Sequence, residues 1–201
     1  MANYTGPKVR LSRRVGVPIE AVEKHTSNER VRTPPGIHGA RGRRLRDYGI
    51  RLAEKQKLRY HYNVGEKQFR RFVQEAKRLP GNSGDTLLVL LERRLDNVIR
   101  RMGIARTIWA ARQIVAHGHV LVDGHKTDRP SFQVKPGMVI TIKEKTHKLC
   151  RENMETLSGH EVPGWISFNP SELKARIVSM PAPDEVPFRV KTNLVIEFYR
   201  F

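Results

Sequence analysis

Cysteine is almost absent from this chain, which has only Cys150 among its 201 residues. A single thiol cannot form an intrachain disulfide, and zinc sites built from several cysteines are excluded. His117-Gly118-His119 brings two imidazoles together, but no third ligand lies near enough in sequence to complete a metal site. We therefore predict a protein that binds no zinc or other metal.

Long apolar runs are also missing. The longest purely aliphatic run is Leu87 to Leu91, whereas a membrane-spanning helix needs about 20 apolar residues. The segment from Met1 to Arg14 lacks the apolar stretch of a secretory signal. These two absences predict a cytoplasmic protein that does not enter a membrane.

Glycine-rich loops with the spacing of nucleotide-binding motifs are absent as well. The segment Pro34-Pro35-Gly36, followed by His38-Gly39, is better interpreted as a rigid bend between basic stretches. The sequence thus gives no support to nucleotide hydrolysis, and we predict that the protein uses no cofactor.

Acidic residues are few relative to basic ones. The chain has 20 Asp and Glu against 38 Lys and Arg, which gives a formal net charge of +18. Such an excess recruits polyanions by releasing their condensed counterions, so nucleic acid is the first candidate partner. The charge is concentrated in the first half, since residues 1–84 carry a net +13 and residues 85–201 a net +5.

Composition shifts and apolar spacing predict an α+β protein in four parts. Residues 1–46 form a basic N-terminal arm without a sustained apolar period, so a packed core there is not expected, and we interpret the arm as ordering on its partner. Residues 47–85 form a mainly helical domain, which the C-terminal tail 185–201 joins. Residues 86–145 form a helix-helix-β-ribbon module, and residues 146–184 are a connecting segment that is β-rich in part.

Apolar spacing also places the helices. Residues 48–62 are good helix formers, and residues 66–78 carry apolar side chains at helical spacing. Asp85 can cap one helix whose apolar face continues to Met102. Thr107 can then cap a second helix, which Gly118 ends.

Strand-like segments follow the two helices. Val120-Leu121-Val122 and residues 138–142 are separated by the turn Asp123-Gly124 and the step Pro136-Gly137, a pattern typical of a β-ribbon. The tail residues 194–199 also have the composition of a strand.

Six arginines lie on or beside the predicted helix pair. The apolar faces of the two helices must pack together, so we expect the guanidinium groups to point outward and form a phosphate-binding face. An ordinary solvated surface is the alternative, but acidic residues rarely alternate with these arginines as they would in ion pairs along a helix. The six are Arg93, Arg94, Arg100, Arg101, Arg106 and Arg112.

The segment Arg94-Leu95-Asp96 matches the residues around the catalytic aspartate of pseudouridine synthases. Those enzymes follow the aspartate with a turn similar to Thr-Ser-Gly, whereas Asn97-Val98 continue a helix here. About 56 residues follow residue 145, too few for that catalytic domain. We predict a protein without enzymatic activity, and an RNA-modifying enzyme that uses the same module is the alternative.

Several longer motifs occur in order along nearly the whole chain. The first half contains Met1-Ala2-Asn3-Tyr4-Thr5-Gly6-Pro7-Lys8, Asp47-Tyr48-Gly49 and Glu66-Lys67-Gln68-Phe69-Arg70. The second half contains Leu91-Glu92-Arg93-Arg94-Leu95-Asp96-Asn97-Val98, Val134-Lys135-Pro136-Gly137 and Leu194-Val195-Ile196-Glu197. Together they resemble the bacterial small-subunit ribosomal protein four family, in the form without the N-terminal zinc-binding cysteines.

The resemblance implies a structural constituent of the small ribosomal subunit whose residues 86–145 are an RNA-binding module of the alpha-L type. It implies a primary binder of 16S ribosomal RNA, in the 5′ domain, that nucleates assembly of the 30S body. It also implies a contact with ribosomal protein five and, with ribosomal proteins five and twelve, an influence on translational accuracy. Messenger RNA near the entry channel is a further possible partner, and the protein would be cytoplasmic and ribosome-bound.

Charge and resemblance together give one set of expected RNA-binding residues. The second helix begins Thr107-Ile108-Trp109, where the family usually has Thr-Arg-Ala, so one expected cation is lost. The set is Lys8, Arg10, Arg13, Arg14, Arg41, Arg43, Arg44, Arg51, Lys55, Lys57, Arg70, Arg93, Arg94, Arg106, Thr107, Arg112, Gln113, His117, His119 and Lys126.

Overall fold

The structure, a computed structural model, describes residues 4–20, 33–37, 39, 46–157 and 159–200. Those residues contain eight α-helices and a five-stranded antiparallel sheet, which confirms the α+β prediction. The chain divides into two compact units. The helical unit comprises Met1–Leu87 with Phe188–Phe201, and the sheet unit comprises Leu88–Pro187.

The helical unit takes its core from the apolar faces of its helices. The four apolar residues that the spacing predicts for α3 are all buried: Phe69, Phe72, Val73 and Ala76. Helical spacing is therefore confirmed for this segment. The helices are α1 (Lys8–Val15), α2 (Asp47–His61), α3 (Glu66–Arg78), the first part of α4 (Ser83–Glu92) and α8 (Thr192–Phe198).

Helix α1 packs against α2 through two apolar residues. Leu11 and Val15 lie one helical turn apart, and both are buried together with Ile19. The hydroxyl of Ser12 accepts a hydrogen bond from the Ile19 amide at 3.2 Å, which fixes the chain beyond the helix. The expectation that residues 1–46 hold no packed structure is wrong for this segment. A pair of apolar residues at i and i+4 is enough when a neighbouring helix covers them.

The C-terminal tail forms helix α8 and not the strand that its composition suggests. The run Leu194-Val195-Ile196 favours a strand, but all the described strands belong to the sheet unit. A helix satisfies the backbone amides of the tail without a neighbouring strand. The tail does lie along α2 as predicted: Arg51 Nε donates to Glu197 at 2.9 Å, and the ring centroids of Tyr48 and Phe198 are 5.6 Å apart.

Tyr199 attaches the end of α8 to the start of α3. Its hydroxyl donates to Glu66 Oε1 at 2.6 Å, and Lys55 and Arg59 also donate to that carboxylate. Burial and the bond to Glu66 raise the pKa of the Tyr199 phenol. Partial burial works to raise the pKa of Glu66, but the hydrogen bonds and the two cations outweigh it and lower that pKa.

We expect Tyr199→Phe to reduce the free energy of unfolding by about 1 kcal/mol, because the Glu66 carboxylate loses a donor. Glu66 has a depressed pKa in the folded state, so its contribution is present above the unfolded-state pKa and is lost as the pH falls through the folded-state pKa. The loss should therefore be seen at neutral pH and should shrink in acid. Urea unfolding followed by circular dichroism tests this. Tyr60→Phe is the matched control, and equal losses for the two variants would contradict the expectation.

The sheet unit contains five strands in the order β2-β1-β3-β5-β4. Alternate strand residues are buried, including Val120, Val122, Ile140, Ile142, Ala175 and Ile177, and they form one core with the helices. The elements are the remainder of α4, α5 (Leu95–Arg101), α6 (Ile108–Ala116), β1 (Val120–Val122), β2 (His125–Lys126), β3 (Val139–Ile142), α7 (His147–Thr156), β4 (Ile166–Asn169) and β5 (Lys174–Ile177).

The β-ribbon of the sheet unit follows the predicted pattern. Asp123 and Gly124 form the turn between β1 and β2 with φ angles of 49° and 81°. Positive φ at both positions is the signature of the tight turn that suits the twist of a hairpin. Strand β3 then pairs with the other edge of β1, with Leu121 opposite Thr141. The two predicted strands are confirmed.

The single helix predicted from Asp85 to Met102 is two helices, α4 and α5. Arg94 is extended, with ψ of 135°, and separates them. A passing segment supplies the lost hydrogen bonds: the Leu95 amide donates to the Phe132 carbonyl at 2.9 Å, and the Val134 amide donates to the Arg93 carbonyl at 2.9 Å. The apolar period continues through the break because Leu87, Leu88 and Leu91 before it, and Leu95 and Val98 after it, are all buried. The spacing of apolar residues could not reveal this break, because the residues that impose it, 132–134, lie much further along the sequence.

Candidate nucleic-acid interface

The start of helix α6 presents one cation to the solvent. Thr107 Oγ1 accepts a hydrogen bond from the Ala110 amide at 3.2 Å, so the predicted helix cap is confirmed. Arg106, directly before the cap, is exposed, and Gln113 is exposed further along the helix. A cation beside a helix N-terminus is a favourable arrangement for a phosphate, because the helix dipole adds positive potential there.

Two arginines expected on the outer face of the helix pair are buried instead. Arg94 has no exposed surface, and its guanidinium donates to both carboxylate oxygens of Asp96 at 3.1 and 2.6 Å. Arg112 is 6% exposed and lies 3.8 Å from the same carboxylate. The expectation that these guanidinium groups point outward is wrong. A buried carboxylate must be paired, and Asp96 draws both arginines inside.

Arg101 is a third arginine that the structure places inside. It donates two hydrogen bonds to Glu92, at 2.9 and 2.5 Å, and Asn97 Nδ2 donates to Glu92 at 2.7 Å. Glu92 and Arg101 lie nine residues apart and on different helices, so no i,i+4 pattern shows the pair. The outward orientation expected for Arg101 is wrong for this reason. Arg93, in contrast, is half-buried, and its Nε donates a hydrogen bond to the Val134 carbonyl at 2.9 Å.

The surroundings of Asp96 are those of a structural ion pair. Burial raises the pKa of the Asp96 carboxyl, while the charges of Arg94 and Arg112 and the Asn97 amide act in the opposite direction. Burial also lowers the pKa of Arg112, against the attraction of Asp96. The carboxylate has no exposed surface and cannot reach a substrate from outside. A structural ion pair with Arg94 therefore accounts for this aspartate.

His117, His119 and Lys126 come together where α6 leads into β1. Gly118 has a φ of 70°, and a Cβ there would collide with the Lys126 side chain, so Lys126 lies against the backbone that joins the two histidines. The two imidazole centroids are 6.0 Å apart. The pKa of His119 is lowered, first by partial burial and then by the charges of His117, Lys143, Lys145 and Lys126. The cluster is a concentration of positive charge.

Lys143 and Lys145 belong to this charged cluster, and the sequence interpretation missed them. The Lys143 amide donates to the His119 carbonyl at 2.9 Å, which joins the end of β3 to the start of β1. Lys143 has the same parity as Thr141, so alternation along β3 could have placed it on the outer face of the sheet.

The basic residues of α1 are mostly free of the core. Lys8, Arg10 and Arg14 are exposed, while Arg13 donates to the carbonyls of Thr33 and Pro34 at 2.9 and 3.4 Å. The bend at Pro34 is thus held by a cation of α1. Arg41, Arg43 and Arg44, also predicted to bind RNA, lie outside the described residues.

The cations of α2 have intramolecular partners. Arg51 pairs with Glu197 at 2.9 Å, Lys57 pairs with Glu54, and the buried Lys55 donates to Glu66 at 3.1 Å and lies 4.5 Å from the Phe198 ring centroid. Lys55 therefore has little surface to offer a phosphate. On α3, Arg70 is exposed.

Neither a membrane-spanning helix nor a cluster of metal ligands occurs in the described part of the chain. None of its helices combines the length and the apolar character that crossing a membrane requires. Residues 4–20, 33–37, 39, 46–157 and 159–200 contain no group of three or more potential metal ligands among His, Cys, Asp and Glu. Cys150 is buried, which raises the pKa of its thiol to about 11 and leaves it unreactive at neutral pH.

Comparison with known proteins assigns both units to described families. Residues 3–92 match the ribosomal protein S4/S9 N-terminal domain, and residues 93–140 match the S4 domain. The chain is 42% identical over 202 residues to small ribosomal subunit protein uS4 of Geobacillus kaustophilus, and each chain is covered to 99%. It is 44% identical over 205 residues to the uS4 protein of Persephonella marina, again with 99% of each chain covered. The chain belongs to the small ribosomal subunit protein uS4 family.

Proposed function

We propose that this chain is a primary binder of 16S ribosomal RNA that contacts the 5′ domain and nucleates assembly of the 30S body. The observation that carries the proposal is the separation of cations in the sheet unit. Arg94, Arg101 and Arg112 are neutralised inside, whereas Arg106 and Lys126 are exposed and form no ion pair within the described residues. A surface left with unpaired cations is suited to the phosphates of a folded RNA.

The chain acts as a structural protein and not as an enzyme, since it belongs to a family of ribosomal proteins. The sequence-based expectation is thereby confirmed. The aspartate that suggested an RNA-modifying activity similar to that of pseudouridine synthases is enclosed between Arg94 and Arg112 and is not available for catalysis.

We place the contact with ribosomal protein five on the surface formed by α2 and α8. Tyr48 is 66% exposed and Ile50 is also exposed, and the Tyr48 ring packs against Phe198. Exposed aromatic and aliphatic side chains beside paired charges are typical of protein interfaces. This surface would carry the influence on translational accuracy, together with ribosomal proteins five and twelve. The protein would act on the ribosome in the cytoplasm, with messenger RNA near the entry channel as a further partner.

Arg106→Ala tests the RNA-binding proposal directly. A charge-assisted hydrogen bond contributes roughly 1.5 to 3 kcal/mol, so the variant should bind a transcript of the 16S 5′ domain about 10- to 100-fold more weakly. Its melting temperature should stay unchanged, because the side chain is exposed. Filter binding with the full chain measures the affinity.

Lys148→Ala is the matched control for Arg106→Ala. Lys148 is an exposed cation of the same unit, on α7, and its loss should change the affinity by much less. If both variants bound the transcript as tightly as the unmodified chain, the helix pair would not be the RNA-binding face.

A further inference from the structure

The strands of the sheet unit turn one face away from the core. Strand register places Lys126, Leu121, Thr141, Lys174 and Asn169 in a single row across the five strands. A second row joins Val139, Arg176 and Ser167. Along β1, β3, β4 and β5 the buried residues alternate with the residues of these two rows. Successive side chains of a strand point to opposite faces, so both rows lie on the face turned away from the core.

The outward face is positive and contains no acid. None of the five described strands includes an Asp or Glu, while Lys126, Lys174 and Arg176 are all exposed. Lys174 and Arg176 follow each other on one face of β5, about 7 Å apart, and Lys126 lies three strands away, at about 14 Å. Nothing in the described chain pairs with these three cations. Three exposed cations with no acid among them give the face a positive potential, which favours the binding of an external anion.

The neutral residues of the face indicate what kind of anion fits. Thr141, Ser167 and Asn169 supply hydroxyl and amide donors between the cations. The two rows contain no aromatic side chain, and Leu121 and Val139 are half-buried. A protein partner would require large aromatic or aliphatic anchors, whereas the two rows offer only the half-buried Leu121 and Val139. Cations spaced among neutral donors match a phosphate backbone.

We propose that this outward sheet face, centred on Lys126, Lys174 and Arg176, is a second binding surface for RNA phosphates. The proposal rests on the RNA-binding function proposed above and extends it beyond the helix pair. Strands β4 and β5 lie outside both segments that match family descriptions, residues 3–92 and 93–140. His119 and Lys143 continue the face at the edge where β1 begins and β3 ends. A backbone crossing the sheet would meet Lys126 on one side and Lys174 with Arg176 on the other.

The test is the double variant Lys174→Glu/Arg176→Glu in the full chain, with a transcript of the 16S 5′ domain as probe. Each lost phosphate contact should weaken binding about tenfold, so we expect about a 100-fold loss. The slope of log affinity against log salt should become less steep by about 2. Circular dichroism should show no change in folding, because both side chains are exposed.

Lys148→Glu/Arg151→Glu on α7 is the matched control, since it changes the net charge by the same amount in the same unit. The proposal requires this control to retain much more affinity than the sheet variant. Equal losses would show a general charge effect, and no loss in the sheet variant would show an unused face. Either result overturns the proposal. If the sheet variant kept its affinity while Arg106→Ala lost it, the proposed function would stand without this second surface. If the unmodified chain did not bind the transcript, the proposed function itself would fail.

Discussion

Raising the salt concentration from about 50 to 200 mM should weaken binding to the 16S 5′ domain roughly 10³- to 10⁵-fold, if six to ten phosphates are contacted. The formal net charge of +18 makes a contact number of this size reasonable. Each phosphate contact releases condensed counterions, and that release becomes less favourable as bulk salt rises. Only cations on the protein surface can contact phosphates. The slope of log affinity against log salt concentration therefore reports how many of them do so.

Filter binding with the full chain at several salt concentrations measures this slope, at constant magnesium so that the RNA stays folded. Arg106→Ala should flatten the slope by about 1, because it removes one phosphate contact. Arg94 should not contribute, since it has no exposed surface. A response that hardly varied with salt would contradict the electrostatic basis of RNA binding by this chain.

Helices and hairpin could be predicted from the sequence because their signals are local. Apolar residues at helical spacing identified α3, and Asp123-Gly124 identified the turn that follows β1. The tail 194–199 had the composition of a strand and formed a helix. Its state depends on what it packs against, and the helical unit offers the tail a helix and no strand.

The direction of each charged side chain was the hardest property to predict. Arg93 and Arg94 are neighbours of the same type, yet Arg93 lies half-buried against a carbonyl and Arg94 is enclosed with Asp96. The choice depends on the break between α4 and α5, which the segment around Phe132 imposes. Composition shows that a surface is basic, but only the tertiary fold separates cations that face solvent from cations that neutralise buried acids.

Because Asp96 neutralises cations that are buried in the fold, we expect Asp96→Ala to lower the free energy of unfolding strongly. Removing one member of a buried ion pair leaves an uncompensated charge and costs about 3 to 5 kcal/mol. Here Arg94 would lose both of its bonds to the carboxylate, and Arg112 would lose the attraction that holds it inside. We therefore expect the sheet unit to lose a large share of its stability, because a domain of this size has about 5 to 15 kcal/mol in total.

Tryptophan fluorescence during urea unfolding reports on this unit alone, since the two tryptophans, Trp109 and Trp165, are both buried in it. Asp128→Ala removes an exposed acid of the same unit and should change the midpoint little. The triple variant Arg94→Met/Asp96→Leu/Arg112→Met removes all three buried charges and should recover much of the loss, because apolar residues of similar volume can replace a buried ion pair or triad. If the triple variant were as unstable as Asp96→Ala, shape and hydrogen bonding around the carboxylate would be the source of stability, and not the compensation of buried charge.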